Sequence, residues 1–475
     1  MKYFSDLQKV GDKVEDLLNF VTVAINEHKS TDLYKEAEIA YEYFKKRNVT
    51  ITKFQKWLYK MTGEPVIDNM SANYKFCNSF FPIFVRQENS YLLGDGVTFE
   101  NEETKEKLGG NEFDKDIYTA GEYALWGGVS FVFFNFDRID VFKVTEFVPI
   151  IDEEDGALHA GIRFWQVQSD KPLRATLYEE DGFTELIYRH GKGEILREKQ
   201  AYKQIVKESI ADGVEIYDGE NYPNFPIVPL WANNEHQSEL TGLRSKIDGY
   251  DLIQSGFAND LDDASQIYWI INNAGGMDEV DLAKFLDQIR RVKAATVDED
   301  GAKAEAHTLE VPYQARQAGL ADLRDSLYRD AMALDTDKIS AGNITATAIE
   351  AAYENLELKC DGYETCVTEC ILGLLSLIGV DDTPTYHRRK TTNKAETTSM
   401  ILSAAQYLDD ETILNLLPFI NVDTVQDILD KRNAEEAERY VPDEEDMNDG
   451  QGEGEDGQTT EQNQQEDKGN LQEQF

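Results

Sequence analysis

The chain has 475 residues, 41% of them hydrophobic, enough to bury at least one large core. Its 91 acids against 47 bases leave a net charge of −44, the wrong sign for tight, sequence-specific binding to nucleic acid. Four cysteines are too few for a disulfide framework, and no run of 18 apolar residues is available to span a bilayer.

The N-terminus, MKYFSDLQKVGDKVEDLLNF, carries acids throughout and no apolar h-region, so it does not read as a secretory signal. The first 60 residues are helical in pattern: Phe4, Leu7, Val10, Val14 and Leu17 keep a three-to-four spacing, and Leu33, Ala37, Tyr41 and Phe44 continue it. Asn73–Phe99, NYKFCNSFFPIFVRQENSYLLGDGVTF, predicts an apolar helix kinked at Pro82 and ending at Gly94, then a strand. Residues 113–230 begin with a helix, FDKDIYTAGEYALW, and turn to strands in GVSFVFFNFD and DVFKVTEFVPI. Asp-Gly turns at EEDGA and EEDGF separate further strands, and YPNFPIVPL closes an α+β domain.

From Ser238 the helical period returns. Leu240, Leu243, Ile247, Tyr250, Ile253, Phe257, Leu261 and Ala264 share one face, and continued to Ile271 the rod would be about 48 Å long. Gly242, Gly249 and Gly256 recur along it every seventh residue, although each should cost a helix interior about 1 kcal/mol. Positions seven apart lie near one line, drifting about 20° per step, with Ser245 and Ser255 close by. A row of small residues admits another backbone closely. It fits either one helix pair within the chain or a helix packed between neighbours in a ring or bundle. A third side, with Asp248, Asp251, Asp260, Asp262 and Asp263, is expected to be wet.

An insertion follows: NAGGM, a helical DEVDLAKFLDQIRR, and two strands around Asp300–Gly301. A second helix is expected from Gln314 to Leu334 and a third from Ala346, with Ile349, Tyr353, Leu356, Tyr363 and Val367 facing inward. Two more occupy roughly 394–440. Residues 441–475 hold 12 acids and one lysine with almost nothing apolar, predicting disorder and leaving −33 on residues 1–440.

Chemistry-bearing motifs are sparse. Cys360, Cys366 and Cys370 lack the paired spacing of a zinc site and read as small core residues on a helix. HGKGE and AGGM lack the pattern of a phosphate loop, and the six histidines form no ligand or triad motif. Of the carboxylates, Asp260 and Asp263 share a helix face and could hold Mg²⁺ for nuclease chemistry, while Asp262 points away. Bases are scarce enough to notice: Arg290, Arg291 and Lys293 cluster in the insertion, and Lys338 is the one base between Asp335 and Thr345. These read as salt-bridge partners, subunit contacts, or contacts to a DNA backbone.

Three stretches together resemble the portal proteins of long-tailed bacteriophages: NYKFCNSFFPIFVRQENSYLLGDGVTF with its Tyr-Leu-x-Gly end; PIVPLWANNEHQSELTGLRSKIDGYDLIQSGFANDLDD, with Pro229, Asn233, Asn234, Ser238, Leu240, Ile247, Asp248, Tyr250, Asp251, Ser255 and Asn259; and ADLRDSLYRDAMALDTDKISAGNITATAIEAAYENLELKCDGYE. The order of parts matches over about residues 60–440. The chain departs from that pattern at Gly96, where proline is common, and at Ala346 and Glu350, where glycine and lysine are favoured.

The resemblance implies a portal-like α+β fold and a non-enzymatic ring, typically dodecameric, at a capsid vertex of the virion, needing no cofactor or metal. It implies a wing of residues 1–237, a first stem helix 238–268 and a clip 269–312 holding Arg290, Arg291 and Lys293. A second stem helix, 313–334, would lead to a DNA-channel loop of Asp335, Thr336, Asp337, Lys338, Ile339, Ser340, Ala341, Gly342, Asn343, Ile344 and Thr345. A further wing helix and return segment, 346–393, a crown, 394–440, and the acidic tail, 441–475, complete it. Gly242, Gly249 and Gly256 would then be stem-packing positions. Its partners would be other copies of the chain, double-stranded DNA bound without sequence preference, the terminase large subunit, a head–tail adaptor, and capsid and scaffold proteins, with no membrane; assembly would take place in the host cytoplasm. The competing classes are a metal-dependent DNA-processing enzyme using Asp260 and Asp263, and an acidic monomeric scaffold or adaptor.

Overall fold

A computed structural model describes residues 2–433, except 12, 60–62, 70, 137, 190, 210–214, 265–267, 273–302, 308–311, 341–345, 389–393, 418, 421–424 and 427. Two compact units divide the chain, Met1–Thr392 and Asn393–Phe475.

The first unit opens with α1 (Phe4–Gln8), α2 (Val14–Ser30), α3 (Asp32–Phe44) and α4 (Val49–Lys53). Thr31 ends α2 and caps α3, its side chain accepting from the Tyr34 N–H. The helical pattern stops short of residue 60, because β1 (Trp57–Tyr59) and β2 (Pro65–Ile67) form an antiparallel ribbon. In α5 (Phe80–Leu93) Pro82 lies in the first turn, where its missing N–H has no partner to lose, so no kink is required there. Gly94 caps it, and β3 (Val97–Phe99) follows through Gly96 at φ +81°.

After α6 (Glu102–Lys107) comes α7 (Asn111–Gly127), the helix on which the main core is built. Its Phe113, Ile117, Ala120, Ala124 and Leu125 are fully buried. Gly121 is a close-approach position: a Cβ there would sit 2.1 Å from the Tyr363 hydroxyl and 2.3 Å from Asn89 Oδ1. Strands β4 (Val129–Asn135), β5 (Arg138–Lys143), β6 (Phe147–Ile151), β7 (Leu158–Trp165), β8 (Leu173–Glu179), β9 (Gly182–Arg189) and β10 (Lys192–Gln200) follow, broken at the expected Asp-Gly turns. A second ribbon pairs β11 (Lys203–Ser209) with β12 (Glu215–Glu220), and β13 (Ile227–Trp231) closes the series. β13 forms an edge of the sheet β13-β4-β5, which is where its Pro229 can be tolerated. The other sheet, β10-β9-β8-β7-β6, is antiparallel throughout, and one of its faces packs on Phe20, Val21, Ala24 and Ile25 of α2.

The later helices are α8 (Arg244–Ala264), α9 (Tyr313–Asp330), α10 (Thr336–Ser340) and α11 (Ala346–Ile378). Between α8 and α9, β14 (Tyr268–Asn272) pairs with β15 (Lys303–His307), so α8 stops before Ile271 and spans about 32 Å. At its centre β15 meets a residue 35 positions back, Ile270 lying opposite Glu305, while the strand expected before Asp300–Gly301 lies outside the described residues. On α11, Tyr353, Leu356, Tyr363 and Val367 are buried, as are Cys360, Cys366 and Cys370, which behave as small core residues. Strand β16 (Pro384–Tyr386) pairs with β3 and ends the unit. The result is an α+β fold.

Where α5, α11 and the segment before α8 meet, Lys359 is buried between two carboxylates, 2.7 Å from Glu88 Oε2 and 2.7 Å from Glu239 Oε2. The second unit contains α12 (Lys394–Ala404) and α13 (Asp410–Leu416), the latter capped by Asp409. No helix among the described residues is long and apolar enough to cross a membrane.

Candidate functional site

The glycine-bearing segment begins with a turn. Ser238 Oγ donates to the Trp126 carbonyl at 2.7 Å and accepts from the Leu240 N–H at 3.1 Å, fixing the entry on the core. Leu240 and Leu243 are buried in this turn, and Gly242 adopts φ +81°, which glycine reaches without strain. Gly242 therefore precedes α8, and only Gly249 and Gly256 lie inside it.

One side of α8 holds the core. Ile247 is fully buried, and Tyr250 meets Phe80 edge-on at 4.9 Å, while Tyr328 of α9 meets Phe84 at 5.2 Å. Lys246 reaches Ser326 at 2.6 Å and also pairs with Asp330, tying α8 to α9.

A second side, expected to be wet, is a polar ladder. Asp248 accepts from the Tyr43 hydroxyl at 2.5 Å and from Thr50 at 2.8 Å. Asp251 is fully buried; its Oδ1 accepts from the Asn78 backbone N–H at 3.0 Å and its side-chain amide at 2.7 Å, and its Oδ2 accepts from Asn48. Burial pushes the Asp251 carboxyl up, against the pull of these donors. Ser255 accepts from the Phe76 N–H at 3.0 Å and Asn259 from the Tyr74 N–H at 2.7 Å. The two elements match in pitch. Two extended residues advance about 6.6 Å and four helical residues about 6.0 Å, so alternate N–H groups of one meet every fourth side chain of the other. Ser255 thus belongs to this ladder and not to the glycine line.

The third side is bare. Among the described residues a Cβ added to Gly249 or Gly256 would meet nothing within 4 Å, so no close helix pair among them explains these glycines. Gly256 instead lines an open notch of about 460 Å³ with Leu252, Ile253, Ala315, Arg316 and Gly319. The apolar face is partly uncovered beyond Tyr250: Phe257 is half-buried, but Ile253 is 37% and Leu261 53% exposed. Asp260 forms an ion pair with Arg316, which occupies one of the two carboxylates a metal site would use. The Asp263 side chain lies outside the described residues, as do Arg290, Arg291 and Lys293.

The segment after α9 is pinned at its start. Gln87 clamps Leu334, its Oε1 accepting from the backbone N–H at 2.8 Å and its Nε2 donating to the carbonyl at 3.0 Å. Arg324 holds both Asp335 (2.9 Å) and Asp337 (2.5 Å). Lys338 pairs with Asp325 of α9 at 2.9 Å and holds that carboxyl below its usual range. Asp335, Thr336, Asp337, Lys338, Ile339 and Ser340 are placed by α10 and the turn before it. Ala341, Gly342, Asn343, Ile344 and Thr345 lie outside the described residues. The sequence offers Gln87 and Arg324 no motif, and the four-residue spacing of Asp251, Ser255 and Asn259 does not by itself name their partners.

Comparison with known proteins gives a consistent result. The family model "Phage portal protein, SPP1 Gp6-like" matches residues 25–442. The portal protein of Clostridium phage phiCD119 is 24% identical over 396 residues, covering 74% of this chain and 83% of that one. The portal protein of Bacillus phage SPP1 is 24% identical over 365 residues, covering 71% and 67%. Among solved structures, a chain of a native gene transfer agent virion aligns at 11% identity with a TM-score of 0.43, covering 72% of this chain and 89% of that one. A chain of the native particle's neck, computed with C12 symmetry, aligns at 10% identity with a TM-score of 0.40, covering 70% and 87%.

Proposed function

This chain belongs to the SPP1 Gp6-like phage portal proteins, and we propose that about a dozen copies close into a ring at one capsid vertex, forming a non-enzymatic channel for double-stranded DNA. The observation that carries the ring is the bare side of α8. Two glycines and an apolar helix end face open space in the single chain, and close approach of another copy gives them a use.

On this reading residues 1–237 with 346–393 form the wing, α8 and α9 the stem, 269–312 the clip that receives terminase and then the head–tail adaptor, and 394–440 the crown. Residues 335–345 form the channel loop. The net charge of −44 suits a channel, because an acidic wall lets a polyanion slide without adhering. Lys338 offers each copy one salt-sensitive contact, made by exchanging Asp325 for a DNA phosphate.

The test replaces Lys338 by alanine and measures ring mass and DNA retained per filled particle in a packaging reaction. Rings should assemble normally while packaging or retention changes, and more so at low salt. Packaging and retention at wild-type levels would remove the channel contact.

A further inference from the structure

A second uncovered surface lies in the N-terminal region. Phe54, Trp57, Val66, Ile67, Tyr74 and Phe76 are each between 39% and 55% exposed. Three of them sit on the ribbon β1–β2, and a two-stranded ribbon is marginal in water without something packed on it. The Tyr74 and Phe76 rings stack at 6.1 Å, 11° from parallel. Their backbone N–H groups are the ones bound by Asn259 and Ser255, so these rings are mounted on α8 rather than carried on a loose loop.

The α8–α9 notch is the opposite kind of surface: concave, apolar, and floored by Gly256 and Gly319, neither of which has a neighbour within 4 Å of where a Cβ would stand. Its one cation, Arg316, is already paired with Asp260. Gly256 lies about 100° round the helix from Ser255, so the aromatic patch and the notch face different directions.

We propose that the 54–76 patch of one copy seats in the α8–α9 notch of the next, with Tyr74 or Phe76 over Gly256. Another copy of this chain is the occupant because it supplies both halves: one projecting aromatic surface and one receiving notch, each apolar and each uncovered in the single chain. A contact between two different surfaces runs head to tail, which is the arrangement that closes a ring. This rests on the ring proposed above and names the surfaces that form it.

The experiment uses the full chain in three forms: wild type, Trp57→Ser/Tyr74→Ser/Phe76→Ser, and Gly256→Leu. The last adds a side chain where the single chain has room, so its fold should survive. Light scattering and circular dichroism are recorded for each, and a benzoylphenylalanine placed at position 76 is irradiated and its cross-links mapped. Both variants should stay folded and lose at least about tenfold in ring yield, the loss of a central contact. The cross-links should join position 76 to residues 252–256 or 315–319 of another copy. Wild-type ring mass in both variants, or cross-links confined to other surfaces, would overturn the assignment while leaving the ring intact. A wild-type chain that remains monomeric would overturn the ring itself, and this contact with it.

Discussion

Replacing Lys359 by methionine should destabilise the chain by about 3–5 kcal/mol, the usual result of removing one partner from a buried ion pair, here the pair with Glu239, beside which Glu88 keeps its proton. Lys359 is 14% exposed and its partners Glu88 and Glu239 are 2% and 15% exposed, so water cannot replace the lost ammonium. The triad joins α5, α11 and the segment that leads into α8. Burial pushes Glu88 up to about 8; Glu239 adds to the rise and Lys359 opposes it. Burial alone would lower Lys359, and the two carboxylates more than reverse that.

The sign for pH follows. Glu88 keeps its proton in the folded chain from its ordinary value of 4.5 up to about 8, while the unfolded chain has released it. Its contribution is therefore full below pH 4.5 and is lost as pH rises through about 8, a slope that belongs to the unequal proton binding of the two states. Lys359 adds no slope in that window, because its contribution fades only above its ordinary value of 10.5. Urea unfolding of wild type and Glu88→Gln at several pH values between 5 and 8 checks this. The wild type should lose more stability across the window than the variant, and equal slopes would count against the buried proton.

Asp251→Ala should cost about 2–4 kcal/mol, since it removes a buried acceptor shared by the Asn78 backbone N–H and the side-chain amides of Asn78 and Asn48. The damage should be local as well as global. With that rung gone, the backbone N–H groups of residues 71–79 keep only Ser255 and Asn259 of the ladder, and proteolysis in 54–79 should accelerate before the core opens. Asp251→Asn, which keeps one acceptor, should fall between the two. An unfolding midpoint unchanged in the alanine variant would mean that the ladder does not hold this segment.

How much of this was legible in the sequence depends on how local each cause is. The strands from Val129 to Gln200 announced themselves through β-branched runs and Asp-Gly turns, and the helix from Ala346 to Ile378 through a dense apolar period. Both signals lie within a few residues of what they specify. The heptad of glycines misled at Gly242, because spacing alone does not separate a helix interior from the positive-φ turn before one. Asp248 and Asp251 read as wet because aspartate usually is, yet their donors come from residues about 170–205 positions away. Lys338 read as a lone base, but Asp325 lies within reach once α9 folds back beside α10. Long-range partners leave no trace in a local pattern.

The measurement that bears most directly on the central claim is the mass of the purified full chain by light scattering, with the same fraction imaged in negative stain. A closed particle of about a dozen copies with an axial hole is predicted, consistent with glycine faces and apolar surfaces that find their cover in a neighbour. A monodisperse monomer across protein and salt concentrations would contradict it, and would leave Gly249, Gly256 and the 54–76 patch in need of another partner.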